Sequence, residues 1–337
     1  MKQKKTFKVL SIDGGGIKGL YSATILNKIE KDLIKKTNDK TVRIVDYFDL
    51  ICGTSTGGLI ALALSLGIST DEICKFYTNH GPKIFRWSKG VFPMLKQTLF
   101  WGKFNDKKLK KALVEILKEK KIGDSRCLLC IPTFDVTHGT YEIFKYDHKE
   151  GHLSRDNDLL MTDVALATSA APTYFPVAQL EKHDNRQYID GGIWANNPSL
   201  IGYTEAKKYF IGDGKYNNIQ LLSLSSLNIG NKLKPFARKR RSFIGWRSRL
   251  FDLTLVAQSE FVDLFLSSLH SERADLDYYR INSAKVESSH VKHIELDRAK
   301  KNSIALMKQF GNDMYHNIKH DIKPFFQTRK TYITKNR

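Results

Sequence analysis

A glycine–serine turn between two apolar stretches limits the fold of this chain more than any other feature of its sequence. Residues 47–52 are mostly apolar and predict a buried strand, and residues 59–64 are apolar on every side, as in a buried helix. The turn between them, Gly53-Thr54-Ser55-Thr56-Gly57, has the spacing G-x-S-x-G. Its glycines leave room for a strand that turns sharply into a helix, with the Ser55 hydroxyl at the apex. A serine that only caps the helix is the alternative.

A run of glycines follows the first predicted strand, residues 7–12. Residues 13–19 read Asp-Gly-Gly-Gly-Ile-Lys-Gly and lead into a helix whose apolar residues recur every four positions. At such a junction, glycine lets a ligand approach the backbone, and the helix start offers unpaired N–H groups. The run also fits the dinucleotide fingerprint G-x-G-x-x-G, which requires a strand ending in an acidic residue about 20 residues later. The residues near Asp39 indicate a loop, so we favour oxyanion binding.

A third motif supplies a carboxylate at the end of a strand. Residues 187–190 predict a strand that ends at Asp190 and is followed by two glycines and a helix entered through Pro198. Open α/β sheets place their sites at the carboxyl ends of strands; a turn aspartate beside glycine is the alternative. A serine nucleophile needs a base, and none of the ten histidines has an evident setting for that role. In a dry pocket a carboxylate can accept the proton itself, so Asp190 is the candidate base.

Charge and cysteine content restrict the setting in which the chain acts. Lys and Arg number 55 against 35 Asp and Glu, and the net charge of +20 favours an anionic partner, either a phospholipid surface or nucleic acid. Four cysteines do not make a disulfide framework, and Cys127 and Cys130 lie in a predicted strand with no second pair to complete a zinc site. We expect no metal and no cofactor. The apolar run 59–68 is far short of the ~20 residues that span a bilayer, so we expect a cytoplasmic protein with peripheral membrane contact.

Two segments combine basic and aromatic residues without any acidic one. Residues 81–104 suit an anionic lipid interface, and a lid packed over the core is the alternative. Residues 232–249 hold eight cations. The chain has no internal repeat and no Pro/Gly linker, so we expect one domain over 1–337.

Four blocks of the sequence together resemble the successive signatures of patatin-like phospholipases. They are residues 13–19, Gly53–Gly57, the segment Ala170-Ala171-Pro172-Thr173-Tyr174-Phe175-Pro176, and Asp190–Gly192, in the order of that family. The similarity covers a core of roughly residues 7–205 and is loose in the basic C-terminal part, 226–337.

The resemblance implies an α/β fold of three layers, in which helices flank a mostly parallel central sheet. It implies a calcium-independent phospholipase A type of activity that releases ester-linked fatty acids through an acyl-serine intermediate. By position, Ser55 is the nucleophile, Asp190 the base, and the backbone amides of Gly14, Gly15 and Gly16 form the oxyanion hole. Lys18 stands where the family has Lys or Arg, to order the turn or to meet a headgroup phosphate. The other matched positions are Asp13, Gly19, Gly53, Gly57, Gly191 and Gly192.

The expected partner is a phospholipid membrane surface, with two further hypotheses kept open. In one, an anionic ligand such as a cyclic oligonucleotide switches the hydrolase on, as in some bacterial members of the family. In the other, the chain is a basic nucleic-acid-binding protein without catalysis; the lack of a recognisable recognition helix or aromatic ladder disfavours it. A homo-oligomer is left open.

Overall fold

The computed structural model describes residues 5–85, 104–212, 215–228, 248–291 and 293–334. In this part of the chain eight strands form one sheet with the order β5-β6-β3-β2-β1-β7-β8, and β4 pairs with β3. The strands are β1 Thr6–Ile12, β2 Leu50–Gly53, β3 Leu128–Asp135, β4 Thr140–Lys145, β5 Ala178–Leu180, β6 Arg186–Asp190, β7 Asn218–Leu224 and β8 Leu276–Ile281. The five strands β3, β2, β1, β7 and β8 run parallel to one another, so the sheet is mostly parallel.

Helices connect and cover these strands. They are α1 Gly19–Thr37, α2 Thr56–Ser65, α3 Thr70–Ile84, α4 Asp106–Leu117, α5 Met161–Thr168, α6 Gly192–Ala195, α7 Ser199–Tyr209, α8 Ser248–Glu272, α9 Ser288–Val291 and α10 Lys301–Ile318. A 3-10 turn, Gly16–Lys18, precedes α1.

Helices lie on both faces of the sheet. Val9 and Cys52 point to one face, where both lie against Gly202 of α7. Gly53, next to Cys52 in the same strand, faces the other way and packs against Ala61 of α2. Because successive residues of a strand alternate between faces, α2 and α7 lie on opposite sides. The fold is therefore the three-layer α/β arrangement expected from the sequence.

The length of β3 brings two strand ends together. Residues 128–130 of β3 pair with the parallel β2, and residues 133–135 pair with the antiparallel β6. Strand β4 pairs with residues 130–135 and occupies the other edge of β3. Strands β2 and β6 therefore share one edge of β3 and run toward each other, so that their carboxyl ends meet.

The structure differs from the sequence prediction in the last third of the chain. Residues 277–282 predict a late strand that is followed by a helix to about Ile318. In the structure α10 begins only at Lys301, and the described residues between α9 and α10 are mostly irregular. In this stretch Ile294 is fully buried, and Leu296 O accepts a hydrogen bond from Ile17 N at 2.9 Å. A long-range contact with the glycine turn thus replaces local helix formation.

Two predicted segments lie largely outside the described residues. For the aromatic segment 81–104 only its two ends are described, and for the basic segment 232–249 the described backbone begins at 248. Within the described part of the chain, no helix has the length and apolar character needed to cross a bilayer.

Candidate active site

Ser55 lies at the apex of the turn between β2 and α2, in a strained backbone conformation. Its φ of 54° is in the left-handed region, where an L-residue with a Cβ is disfavoured. The turn is tight enough that a Cβ on Gly53 would lie 2.2 Å from Gly57 O, and one on Gly57 would lie 2.2 Å from Ile12 O. Both flanking positions therefore need glycine, and the close packing holds Ser55 in place.

The Ser55 hydroxyl bonds to Asp190 rather than capping α2. Ser55 occupies the N-cap position of that helix, but its side chain makes no capping hydrogen bond. Its Oγ instead donates to Asp190 Oδ2 at 2.6 Å. The other carboxylate oxygen, Oδ1, accepts the Gly192 N–H at 2.7 Å. The geometry thus argues against a serine that only caps the helix. It shows instead a hydroxyl paired with a carboxylate whose orientation is fixed by a second hydrogen bond.

Burial makes Asp190 a stronger base than an ordinary aspartate. Its side chain is almost wholly buried, and desolvation raises its pKa to about 7, although the hydrogen bonds from Ser55 and Gly192 act in the opposite direction. A carboxylate with a pKa near neutrality is suited to take a proton and return it. The described residues that line the cleft around Ser55 include no histidine.

The carboxylate reaches the serine from an antiparallel strand. The sequence analysis placed Asp190 at the carboxyl end of a strand, as in a parallel sheet. Strand β6 is antiparallel, and Asp190 is opposite Thr133 in the extension of β3 beyond β2. The location follows from the head-on meeting of β2 and β6. Close packing of Gly191 against β3 holds Asp190 in this position, since a Cβ on Gly191 would lie 2.1 Å from Pro132 O.

Sequence analysis did not identify Thr168 as part of the site. Its hydroxyl, at the end of α5, accepts the Ser55 N–H at 3.0 Å and donates to Pro132 O at 2.6 Å. Thr168 is fully buried, and its two hydrogen bonds link the backbone of Ser55 to β3. The small-residue block that follows it marked the region, but no local signal distinguished this threonine.

The glycine turn after β1 presents two amides to the same cleft. Among the described residues, neither Gly15 N–H nor Gly16 N–H has an acceptor, and both glycines line the cleft with Ser55 and Asp190. The Gly14 N–H differs, because it donates to Asn196 O at 3.1 Å. Of the three N–H groups predicted to bind an oxyanion, two thus have no acceptor among the described residues, and the third donates a hydrogen bond within the protein.

The remaining motif residues support this turn. Asp13 forms a two-contact ion pair with Arg280 of β8, with Nη2–Oδ2 at 2.6 Å and Nη1–Oδ1 at 3.2 Å. Gly19 lies under Tyr77, whose hydroxyl would be 2.7 Å from a Cβ there. Lys18 is 9% exposed and lines a neighbouring polar cavity that does not include Ser55.

An apolar cleft extends from the Ser55–Asp190 pair. It encloses about 730 Å³, solvent at the mouth included. Apolar side chains from several helices and loops form most of its wall, among them Leu59, Phe76, Ile84, Phe85, Phe175 and Leu255. Phe85 and Phe104, at the described ends of segment 81–104, pack edge to face with ring centroids 5.5 Å apart. The Ser55–Asp190 pair therefore borders a space that suits a hydrocarbon chain.

The sequence is similar to several known proteins. Residues 10–201 match the family described as "Patatin-like phospholipase". A "cGAMP-activated phospholipase" of Pseudomonas aeruginosa (strain BWHPSA011 / Pa011) is 32% identical over 325 residues, which cover 96% of this chain and 91% of the relative. A protein of the same description from Vibrio cholerae serotype O1 is 30% identical, covering 92% of this chain and 91% of the relative. "Patatin-like protein 2" of Oryza sativa subsp. indica is 32% identical, covering 85% and 78%.

Proposed function

Because the chain belongs to the patatin-like phospholipase family, we propose that it is a serine acyl hydrolase that releases fatty acids from membrane phospholipids. The observation that carries this proposal is the 2.6 Å hydrogen bond from Ser55 Oγ to the buried carboxylate of Asp190. The apolar cleft beside that pair supports an acyl chain as the group that is bound and transferred. The net charge of +20 supports action at an anionic membrane surface, from the cytoplasmic side.

In the proposed reaction, Ser55 Oγ attacks the ester carbonyl carbon while its proton moves to Asp190 Oδ2. The N–H groups of Gly15 and Gly16 stabilise the negative oxygen of the tetrahedral intermediate. Loss of one such donor typically costs about 2.7–4 kcal/mol of activation free energy. The intermediate collapses, the proton returns to the leaving alkoxide, and the lysolipid departs. Asp190 then takes a proton from water as the water attacks the acyl-serine. The second intermediate collapses, the proton returns from Asp190 to Ser55 Oγ, and the fatty acid departs.

The steps need no metal ion in this proposal, since the glycine amides stabilise the developing charge and the carboxylate moves the proton. A calcium-independent activity is therefore expected. Hydrolysis should persist in the presence of a chelator such as EGTA. A dependence of turnover on added Ca²⁺ would contradict this part of the proposal.

The experiment that tests the proposal is lipid mass spectrometry on mixed phospholipid vesicles, with Ser55→Ala and Asp190→Asn as variants. The wild-type chain should release lysophospholipid and free fatty acid in equal amounts. Each variant should lose this activity at least a thousandfold while its circular dichroism spectrum is unchanged. Asp163→Asn, which changes a carboxylate on the first turn of α5, is the matched control. Full activity of either site variant would refute the assignment.

A second proposal is that an anionic ligand gates the hydrolase. It is supported by the two bacterial relatives described as cGAMP-activated, each of which aligns over 91% of its own length. In that case vesicle hydrolysis should be slow for the purified chain and rise on addition of cGAMP. A full rate without any added ligand would make gating unnecessary.

A further inference from the structure

Helix α8 carries apolar residues on two opposite faces. On one face Leu255, Val262 and Leu266 are buried against the rest of the protein. On the other face Phe261 and Leu264 have 64% and 70% of their surfaces exposed. A surface helix of a globular protein normally has one apolar face toward the core and a polar face toward water. The second apolar face of α8 is therefore not explained by the packing of the described residues.

The exposed face of α8 is a regular stripe. Its positions are separated alternately by four and three residues, which is the spacing of helices that pack along a common seam. All six positions are exposed and none is charged; they are Leu250, Thr254, Ala257, Phe261, Leu264 and Ser268. Phe265, at the edge of the stripe, is 45% exposed. The stripe is about 27 Å long, and its four large side chains expose roughly 400 Å² of apolar surface, which is the size of patch that marks an interaction site.

The stripe is complementary to itself when its direction is reversed. A second copy of α8 that packs antiparallel, with the two stripes centred on each other, brings residues together in three pairs. The pairs are Phe261 with Ala257, Leu264 with Thr254, and Leu250 with Ser268. Each pair combines a large and a small side chain, so the two surfaces can interdigitate. Two-fold symmetry makes each pair occur twice, as in an isologous interface.

Charge disfavours an anionic lipid surface as the occupant of the stripe. Residues 250–272 contain four acidic residues and no Lys or Arg, although the whole chain carries a net charge of +20. Helices that lie on anionic membranes carry Lys and Arg beside their apolar face. Here the exposed residue next to Phe261 is Glu260. An uncharged stripe with acidic neighbours favours another protein helix, and exposed acidic groups outside the stripe are screened by salt.

We propose that two copies of this chain associate through α8, with the two helices antiparallel and related by a two-fold axis. The large side chains of both stripes supply roughly 800 Å² of the ~1,200 Å² that a small specific interface buries, and the polar stripe residues and their neighbours supply the rest. The inner face of α8 contacts the candidate active site. Leu255 lines the apolar cleft, and Ser259 Oγ accepts a hydrogen bond from Asn196 Nδ2 at 2.9 Å. The dimer therefore places both candidate sites beside one helix pair.

Sedimentation equilibrium of the full chain, without lipid or substrate, measures the association. The wild-type chain should show a reversible equilibrium between monomer and dimer. Leu264→Glu places a charge in the stripe and should weaken the dimer at least tenfold. Ile333→Glu is the matched control, because Ile333 is 71% exposed and lies outside α8; it should leave the equilibrium unchanged. A wild-type chain that stays monomeric, or a dimer that Leu264→Glu leaves intact, would overturn the proposal.

A double-mutant cycle at two exposed positions tests the antiparallel pairing itself. Ala257→Phe places a large residue opposite Phe261 of the other copy, and Phe261→Ala leaves two small residues opposite each other. Each single variant should weaken the dimer about tenfold. The double variant exchanges large for small within the pair and should recover most of the affinity, since residues in contact do not act additively. A double variant that associates more weakly than both single variants would overturn this arrangement.

The salt dependence separates a second copy from an anionic surface. Two chains of net charge +20 repel each other, so the dimer should tighten as the NaCl concentration rises. Flotation with vesicles of phosphatidylglycerol and phosphatidylcholine provides the comparison, and Leu264→Glu should bind them as the wild-type chain does. A monomeric wild-type chain whose vesicle binding is lost in Leu264→Glu would assign the stripe to lipid and overturn the proposal. Because sedimentation is measured without substrate, a failure of the wild-type chain to hydrolyse phospholipid is a separate result.

Discussion

Arg280 and Asp13 are 267 positions apart in the sequence and form a buried ion pair, with 7% and 3% of their side chains exposed. The pair links β8 to the first residue of the glycine turn. A residue of the C-terminal third of the chain, outside the residues 10–201 that match the family, thus contacts the turn that carries the candidate oxyanion hole. Leu296 O, which accepts the Ile17 N–H, adds a second link of this kind.

Arg280→Met should be strongly destabilising, because it leaves the Asp13 carboxylate buried without a counterion. Removal of one partner of a buried pair typically costs about 3–5 kcal/mol. The control is Arg273→Met, which breaks an ion pair with Asp275 on the surface and should cost far less, because solvent screens exposed ion pairs. Urea unfolding of the two variants measures the difference. Equal losses would show that the buried pair does not stabilise the turn.

Thr168→Val should lower both stability and turnover. Valine has the shape of threonine, but it leaves the Ser55 N–H and the Pro132 carbonyl without their partner. Each unsatisfied buried group costs about 1–3 kcal/mol. We expect kcat on a soluble fluorogenic ester to fall at least tenfold, while Thr168→Ser, which keeps the hydroxyl, retains most of it. A fully active Thr168→Val would assign this residue to packing alone.

These contacts show which parts of the site were predictable from the sequence. The sequence predicts the turns at Ser55 and Asp190, because apolar runs followed by glycines indicate the end of a strand locally. Thr168 and Arg280 carry no such mark: one is a small residue in a small-residue helix, and the other lies inside a strand. Their roles arise from pairing between distant segments, which a local pattern does not encode.

Asp190 illustrates a correct location predicted for an incomplete reason. The sequence indicates a strand that ends in aspartate, but it does not indicate strand direction. The meeting of β6 with β2 depends on the overhang of β3 beyond residue 130, a feature of tertiary pairing. The engagement of the Gly14 amide by Asn196 O is likewise visible only in three dimensions.

The rate of ester hydrolysis should depend on pH through Asp190. Burial raises its pKa to about 7, so below that pH the carboxyl group is protonated and cannot accept the Ser55 proton. We expect kcat/KM to fall about tenfold per pH unit below 7 and to reach a plateau above it. The pH dependence of kcat/KM on a soluble ester, in buffers of constant ionic strength, measures this. A flat profile between pH 5 and 8 would exclude a buried carboxylate as the base.

Ser55→Gly should be more stable than Ser55→Ala, although both variants lack the Ser55 hydroxyl. Both lose the hydrogen bond to Asp190, and they differ only in the Cβ. At φ 54° and ψ −125° that Cβ is strained, and such strain costs about 1–3 kcal/mol, which glycine avoids. The greater freedom of glycine in the unfolded chain offsets part of the gain. We therefore expect a higher Tm for Ser55→Gly by differential scanning calorimetry. A lower Tm would mean that the strain at Ser55 is smaller than the entropic cost of placing glycine there.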